Sequence, residues 1–159
     1  MITTSQFSNN LWITYHHKAK INNKMNNLMS IMIDFPEFCM NNRKNCKSIC
    51  KHCYAYIQVS IRGKSLWPKL KHNSQVLSNC QINFDKTESP LNVLRFSSYG
   101  ELANPTQYLN IQLVAKHNQH LHCAIWSKRV NIIQRLNHLK PTNLMPGIVT
   151  GKQIGRAHV

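Results

Sequence analysis

The chain has 159 residues, 42% of them hydrophobic, which is enough for one domain with a buried core. Its 20 Lys and Arg against 5 Asp and Glu give a formal net charge of +15, which favours polyanionic partners, nucleic acid above all. The scarcity of acids argues against glycosidase and two-metal nuclease chemistry, which depend on paired carboxylates. No apolar run reaches the roughly 20 residues that span a bilayer, and no secretory signal begins the chain, so we expect a cytoplasmic protein without a membrane partner.

The first part of the chain divides into a polar segment and the start of a domain. Residues 1–27 are rich in Asn and give weak signals of regular structure, whereas residues 28–150 carry the patterns of an α/β domain. Residues 28–33 are a short apolar run that predicts a buried strand. A cysteine-rich loop over residues 39–53 follows it. A helical pattern then extends from Tyr54 to about Ser78, with a start signal at residues 65–68.

The second part of the chain alternates between strand and helix patterns. Residues 91–96 and 121–126 predict strands, and a fourth strand opens near Leu144. Asn104 as a cap and Pro105 in the first turn predict a helix between the first two of these, and residues 130–139 predict another. The alternation predicts an α/β fold with parallel strands and right-handed crossovers. It also fits a partial (β/α) barrel.

The last residues of the chain have a pattern of their own. Residues 154–159, IGRAHV, equal the translation of one reading frame of a common sequencing adapter. We therefore expect residues 151–159 to be a non-native tail and the domain to be truncated at its C-terminus. No function is assigned to this tail.

Cys39, Cys46, Cys50 and Cys53 form the densest chemical signal in the sequence. The last three have the spacing C-x3-C-x2-C, which can hold three irons of a cubane cluster and leave the fourth iron open to a small ligand. A zinc site made from all four thiolates would instead be closed and structural. Thiolates suit both metals, so the residues alone leave iron–sulfur and zinc open.

Further candidate residues follow the carboxyl ends of the predicted strands. Arg95 lies in the second strand, Gly100 and Glu101 come just after it, and Lys128 and Arg129 follow the third strand. Functional groups gather at the carboxyl ends of parallel strands, so we expect these residues near the cysteines. Arg95 is a candidate ligand for a phosphate or carboxylate. Lys128 and Arg129 are candidate contacts for an anionic substrate or nucleic acid.

Several ordered motifs carry a resemblance to known families. The set FC…SICKHCYA, RFSSYGEL, AIWSKR and KPTNL resembles the phage "gene product 88" family from about Lys24 to Leu144. The layout is also similar to the first half of a radical S-adenosylmethionine (SAM) barrel, where a C-x3-C-x2-C loop follows strand one and a Gly-Gly-Glu motif ends strand two. The resemblance implies a radical-SAM-like iron–sulfur protein of phage or bacterial origin, with a [4Fe–4S] cluster and SAM as cofactors.

The two resemblances imply different ligand sets. The radical SAM layout implies Cys46, Cys50 and Cys53, with Glu101 beside Gly100 accepting a hydrogen bond from the SAM amino group. The gene product 88 family implies Cys39, Cys50 and Cys53. Both sets include Cys50 and Cys53.

Three functions therefore remain open for this sequence, and no catalytic residue is predicted. The first is a radical-SAM-like enzyme acting on nucleic acid or a modified base. The second is a zinc-stabilised nucleic-acid-binding module without catalysis. The third is a degenerate or truncated family member with a structural role, which would hold neither a cluster nor zinc.

Overall fold

The α/β fold that the alternating pattern predicts is present in the computed structural model, which describes residues 2–6, 11–16, 28–45, 49–79 and 91–149. In this part of the chain the strands are β1 (Ile2–Gln6), β2 (Trp12–His16), β3 (Leu28–Ile31), β4 (Val93–Phe96), β5 (His122–Ser127) and β6 (Leu144–Ile148). The α-helices are α1 (Glu37–Lys44), α2 (Tyr54–Ser78), α3 (Pro105–His117) and α4 (Val130–Leu136). Short 3₁₀ helices cover Ile49–His52 and Asn137–Leu139.

The six strands form one sheet in which their order is the order of the chain, from β1 to β6. The strands from β3 to β6 run parallel, and β1 and β2 extend the sheet antiparallel at the β3 side. Each parallel strand is joined to the next through helical segments, and α2 packs against α3 as α3 does against α4. The helices between the parallel strands therefore form a continuous layer.

The two faces of the sheet differ in character. On one face, alternate strand residues enter the main hydrophobic core with the inner sides of α3 and α4; these are Met29, Ile31, Leu94, Phe96, Cys123, Ile125 and Leu144 from the strands. Because side chains alternate along a strand, Arg95 and Trp126 belong to the opposite face. Trp126 is 51% exposed there, and Met145 is 71% exposed. This second face is thus exposed at Trp126 and Met145 on β5 and β6, whereas Ser30 on β3 is buried.

Buried amide side chains join the helices to the sheet. The Oδ1 atom of Asn73, on α2, accepts a hydrogen bond from the Trp12 N–H at 2.7 Å. Its Nδ2 donates to the Trp12 and Met32 carbonyls at 2.9 and 2.8 Å. Asn110 on α3 donates to the carbonyls of Leu77 and Asn79 at the end of α2. These amides satisfy backbone groups that helix ends and an adjoining strand would otherwise leave unpaired.

Three local features differ from the sequence expectation. The predicted cysteine loop contains α1, which begins after Pro36 with Glu37 in its first turn and ends with Arg43 and Lys44, an arrangement that suits the helix dipole. The segment expected to be weakly ordered contains β1 and β2. Residues 65–68 do not start a helix, because α2 continues through Pro68.

Tertiary packing explains the second and third of these differences. Leu11 and Ile13, around β2, are buried in the main core and compensate for their polar neighbours. Val59 and Leu70 are fully buried on either side of Pro68, and their burial stabilises the helix before and after the proline. The ring of Pro68 itself is exposed, where the missing N–H is tolerated best.

Among the helices described, none is long and apolar enough to cross a membrane. The predicted tail over residues 151–159 lies outside the described residues.

Burial of Cys123 makes the stability of the fold depend on alkaline pH. Burial raises the pKa of this thiol from 9.0 to about 12. The folded chain then binds the proton more tightly than the unfolded chain, so the resulting stability is complete below pH 9 and is lost as pH rises towards 12. Each such group lowers the free energy of unfolding by up to about 1.4 kcal/mol per pH unit in this window.

We expect Cys123→Ala to flatten this dependence while lowering stability at pH 7 by roughly 1–2 kcal/mol through the cavity it leaves. Urea unfolding of both proteins, under reductant and at several values from pH 8 to pH 11, measures the two slopes. Equal slopes for variant and wild type would contradict the assignment.

Candidate metal and ligand site

A cavity of about 550 Å³ lies at the carboxyl ends of the parallel strands. Its wall takes residues from the segment after β3, from the turn after β4, from the end of β5 and from the end of β6. They are Phe35, Cys39, Arg43, Cys50, His52, Cys53, Tyr54, Ala55, Arg95, Ser97, Ser98, Gly100, Glu101, Trp126, Lys128 and Val149. The edge of the sheet that the sequence singles out is therefore also the edge that carries this cavity.

Most of the residues predicted for the site line this one cavity. Those that do are Cys39, Cys50, Cys53, Arg95, Gly100, Glu101 and Lys128. Arg129 is not in the wall, and Cys46 lies outside the described residues. The structure thus brings together residues that are almost ninety positions apart in sequence.

Three cysteines reach the cavity from three different local structures. Cys39 lies on α1, Cys50 lies in the 3₁₀ helix, and Cys53 is the residue that precedes α2. Cys39 and Cys50 are buried and Cys53 is half-buried. The Cys53 N–H donates to the Cys50 carbonyl at 3.2 Å, which fixes the turn between them. Within the described ranges, however, no three His, Cys, Asp or Glu side chains are grouped so as to hold a single metal ion.

The thiol of Cys39 is held in its protonated form. Burial, followed by the negative charges of Glu101 and Cys50, raises its pKa from 9.0 to about 12, and Lys128 opposes the rise. Lys128 also donates from Nζ to the Cys50 Sγ at 3.3 Å. Binding of a metal centre at Cys39 must therefore release a proton, and Lys128 is the cation placed to offset the resulting negative charge.

The carboxylate of Glu101 joins the end of β4 to the end of β5. Its Oε1 accepts hydrogen bonds from the Ser127 hydroxyl and from the Leu102 N–H, the latter at 2.9 Å. Its Oε2 accepts from the Lys128 N–H at 2.8 Å. Glu101 is 5% exposed. Three donors thus converge on a buried carboxylate, and they hold Lys128 where its side chain reaches Cys50.

Gly100 allows the turn after β4 to approach the chain after β3. Its φ of +83° lies in the left-handed region, and a Cβ there would stand 1.9 Å from the Ile33 carbonyl oxygen. The Ile33 N–H donates to the Tyr99 carbonyl at 3.1 Å, and the Glu101 N–H donates to the Asp34 carbonyl at 3.2 Å. Only glycine fits between these two bonds.

The remaining predicted residues occupy different environments. Arg95, on the face of the sheet opposite the main core, is half-buried, and burial lowers the pKa of its guanidinium. Arg129 turns towards the protein instead of the cavity. Its Nη1 donates to the Leu102 and Ala103 carbonyls at 3.5 and 3.4 Å, and its Cζ lies 4.7 Å from the centre of the Phe38 ring.

The cavity also contains polar groups that the sequence did not single out. Arg43 lies four residues after Cys39 on α1, so the two share a helix face. Its Nη1 and the hydroxyls of Ser97 and Ser98 are buried, with no hydrogen-bond partner in the described part of the chain. Ser97 has a φ of 54°, which is rare outside glycine. If α1 had been predicted, the spacing of four residues would have placed Arg43 on the same helix face as Cys39. Nothing in the sequence indicates the left-handed backbone of Ser97.

Trp126 forms an open part of the wall. Its side chain lines the cavity and is 51% exposed. The position where a Gly147 Cβ would stand is 3.4 Å from the Trp126 Cδ2, so the indole rests against this glycine. Tyr54 lines the same cavity and is 57% exposed.

Comparisons of the chain with family models, with curated proteins and with solved structures return no match.

The role of Glu101 can be tested by removing one acceptor without changing the shape of the side chain. Glu101→Gln places an NH₂ group against one of the three donors and leaves buried groups unsatisfied, so we expect a loss of about 2–3 kcal/mol in the free energy of unfolding. Glu37→Gln, on the exposed start of α1, is the matched control and should change stability by less than about 0.5 kcal/mol. Chemical denaturation measures both; similar values for the two variants would refute the proposed junction.

The close approach at Gly100 predicts a large effect for one methyl group. Gly100→Ala meets both an unfavourable φ and the Ile33 carbonyl, and we expect it to destabilise the fold by at least about 2 kcal/mol. Gly63→Ala is the control, since a Cβ on this helical glycine would lie 3.7 Å from the nearest atom of Trp67. That variant should be neutral or more stable by up to about 1 kcal/mol. Thermal unfolding of both variants measures the difference, and equal midpoints would contradict the close approach.

Proposed function

We propose that the chain is a radical-SAM-like iron–sulfur protein in which Cys39, Cys50 and Cys53 bind a [4Fe–4S] cluster. The observation that carries this proposal is the presence of these three thiols in one cavity with the Gly100–Glu101 turn. The cysteine set is the one that the gene product 88 resemblance implies. Cys46 belongs to the alternative set.

A cluster and a single zinc ion place different demands on the thiolates. A cubane cluster takes each thiolate on a different iron, so its ligands surround a larger volume than the four ligands of one zinc. The three cysteines line a common cavity of about 550 Å³, and this shared wall supports the cluster. The closed zinc site also needs Cys46, which lies outside the described residues.

The sheet supports a partial (β/α) barrel as the finer description of the fold. Consecutive parallel strands in chain order, with the helices between them in one layer, are the arrangement of a singly wound barrel. The face opposite the main core carries Arg95 and Trp126 and is exposed at Trp126 and Met145, which fits an incomplete barrel whose inner face is open on this side. Catalytic groups of such barrels lie at the carboxyl ends of the strands, where the cavity is found.

Residues of the chain would bind and shield the cofactors. Lys128 would offset the charge of the Cys50 thiolate, and the buried Phe35 would exclude water from the cavity wall. The Oε2 of Glu101 accepts one hydrogen bond in the structure, so an ionised oxygen keeps capacity for a second donor such as a ligand ammonium. When bound, the cluster would supply the electron for reductive cleavage of SAM, and this chemistry belongs to the cofactors.

Anaerobic expression followed by iron, sulfide and zinc analysis tests the proposal directly. We expect about four each of iron and sulfide per chain, and a broad absorption band near ~400 nm that bleaches on reduction. SAM binding by calorimetry should require the cluster. One zinc per chain, with no colour, would refute the iron–sulfur assignment and leave the zinc-stabilised module as the function.

Single cysteine variants distinguish the two ligand sets. Cys50→Ala should abolish the iron and the band, whereas Cys123→Ala, which removes a buried thiol outside the cavity, should retain both. Cys39→Ala should lose the cluster and Cys46→Ala should keep it. The reverse result for the last two variants would assign the C-x3-C-x2-C set instead.

A further inference from the structure

We propose that the cavity binds a nucleotide unit, with its phosphate at Arg43, Ser97 and Ser98 and its base stacked on Trp126. The inference deepens the proposed function by naming the substrate class of the same site. It depends on that function for the reaction but not for binding. The nucleotide unit belongs to a single-stranded nucleic acid or to a free nucleotide.

The first argument is the charge of the cavity. Its cationic wall residues are Arg43, Arg95 and Lys128, and its acid is Glu101. The Glu101 carboxylate already accepts hydrogen bonds from Ser127, Leu102 and Lys128. The cavity is therefore positive overall, and an anionic ligand would enter it with favourable electrostatics.

The second argument is a set of buried donors without hydrogen-bond partners at the cavity wall. The Arg43 guanidinium also lies over the Tyr56 ring, with its Cζ 3.4 Å from the ring centre, and this contact positions it at the wall. Ser97 is 6% exposed, and its hydroxyl, the Ser98 hydroxyl and the Arg43 Nη1 have no hydrogen-bond partner in the described ranges. A buried polar group without a partner is costly, and proteins retain few of them. Two hydroxyls and one planar guanidinium are donors that suit the oxygens of a phosphate. The left-handed backbone at Ser97 adds a strained residue of the kind that clusters at ligand sites.

The third argument is the aromatic surface at the same cavity. Trp126 is 51% exposed although its indole rests on Gly147, so it offers area to a flat partner. Tyr54, 57% exposed, adds a second ring to the wall. Stacking on aromatic side chains combined with cationic contacts to the backbone is how proteins bind unpaired bases. Duplex bases are already stacked and offer no free face, so the site favours a single strand.

Fluorescence anisotropy with a labelled single-stranded DNA decamer tests the proposal on the full chain, purified anaerobically with its metal content recorded. We expect Trp126→Ala to weaken binding roughly tenfold, which is the scale of one base stack, and Trp126→Phe to retain most of the affinity. Met145→Ala is the control, because this 71% exposed side chain lies on the neighbouring strand and outside the cavity wall. It should leave the affinity within twofold.

Charge-matched variants separate a built site from general attraction to a basic protein. Arg43→Gln and Arg135→Gln each remove one positive charge, but Arg135 is an exposed residue of α4 outside the cavity wall. We expect a roughly tenfold loss for Arg43→Gln and less than twofold for Arg135→Gln at ~100 mM salt. Ser97→Ala should also weaken binding without lowering the unfolding midpoint, which guards against misfolding as the cause.

Each result of these binding measurements either supports or overturns the nucleotide site. Equal losses for the two arginine variants, no effect of Trp126→Ala, or equal affinity for the matching duplex would overturn the proposal. Competition by a nucleoside 5′-monophosphate at concentrations comparable to the oligonucleotide would identify a free nucleotide as the source of the unit. Failure of competition would identify the strand. A protein with iron and sulfide that does not bind the probe refutes this inference alone, and a colourless protein that binds it refutes only the cluster.

Discussion

The candidate site depends on the buried carboxylate of Glu101. It gathers two backbone N–H groups and the Ser127 hydroxyl, and so it fixes the turn after β4 against the end of β5. Gly100, directly before it, lets the same turn pair with the chain after β3. Two adjacent residues therefore set the relative positions of three strand ends. The cavity wall is built on those ends.

The negative charge of the Glu101 carboxylate disfavours a thiolate at Cys39, and Lys128 offsets this effect. The carboxylate charge raises the pKa of Cys39 beyond what burial alone would do, and Lys128 opposes it. Lys128 is in turn held by its own N–H on Glu101, while its Nζ contacts Cys50. The Glu101 carboxylate, whose charge disfavours a thiolate at Cys39, thus also positions Lys128, whose positive charge favours it. A chain with 5 acids and 20 basic residues uses one of the few acids here, and buried amides such as Asn73 and Asn110 serve the structural junctions elsewhere.

The sequence predicts the parallel part of this fold well because local signals and tertiary packing agree there. The Asn104 cap, which accepts from the Gln107 N–H, and the apolar alternation of β4 and β5 act over short distances and are readable in one window. The β1–β2 hairpin could not be predicted in this way, since Leu11 and Ile13 gain their burial from β3 and α2. Helix α1 was not predicted, because Cys39 lies at the start of the cysteine-rich loop and indicates a metal ligand there rather than a helix. For the site, the sequence predicts that the cysteines, Glu101 and Lys128 lie close together, because each follows the carboxyl end of a parallel strand and these ends share one edge of the sheet. The inward turn of Arg129 depends on the Phe38 ring and two carbonyls, which no pattern reveals.

The wall of the cavity comes from two distant parts of the chain. Cys39, Cys50 and Cys53 belong to the segment between β3 and α2, whereas Trp126 lies on β5 and Lys128 follows it. Lys128 connects the two parts, because its Nζ donates to the Cys50 Sγ. Under the proposed function, a cofactor held by the thiols and a base stacked on Trp126 would therefore meet in one cavity, which is the proximity that a reaction between them requires.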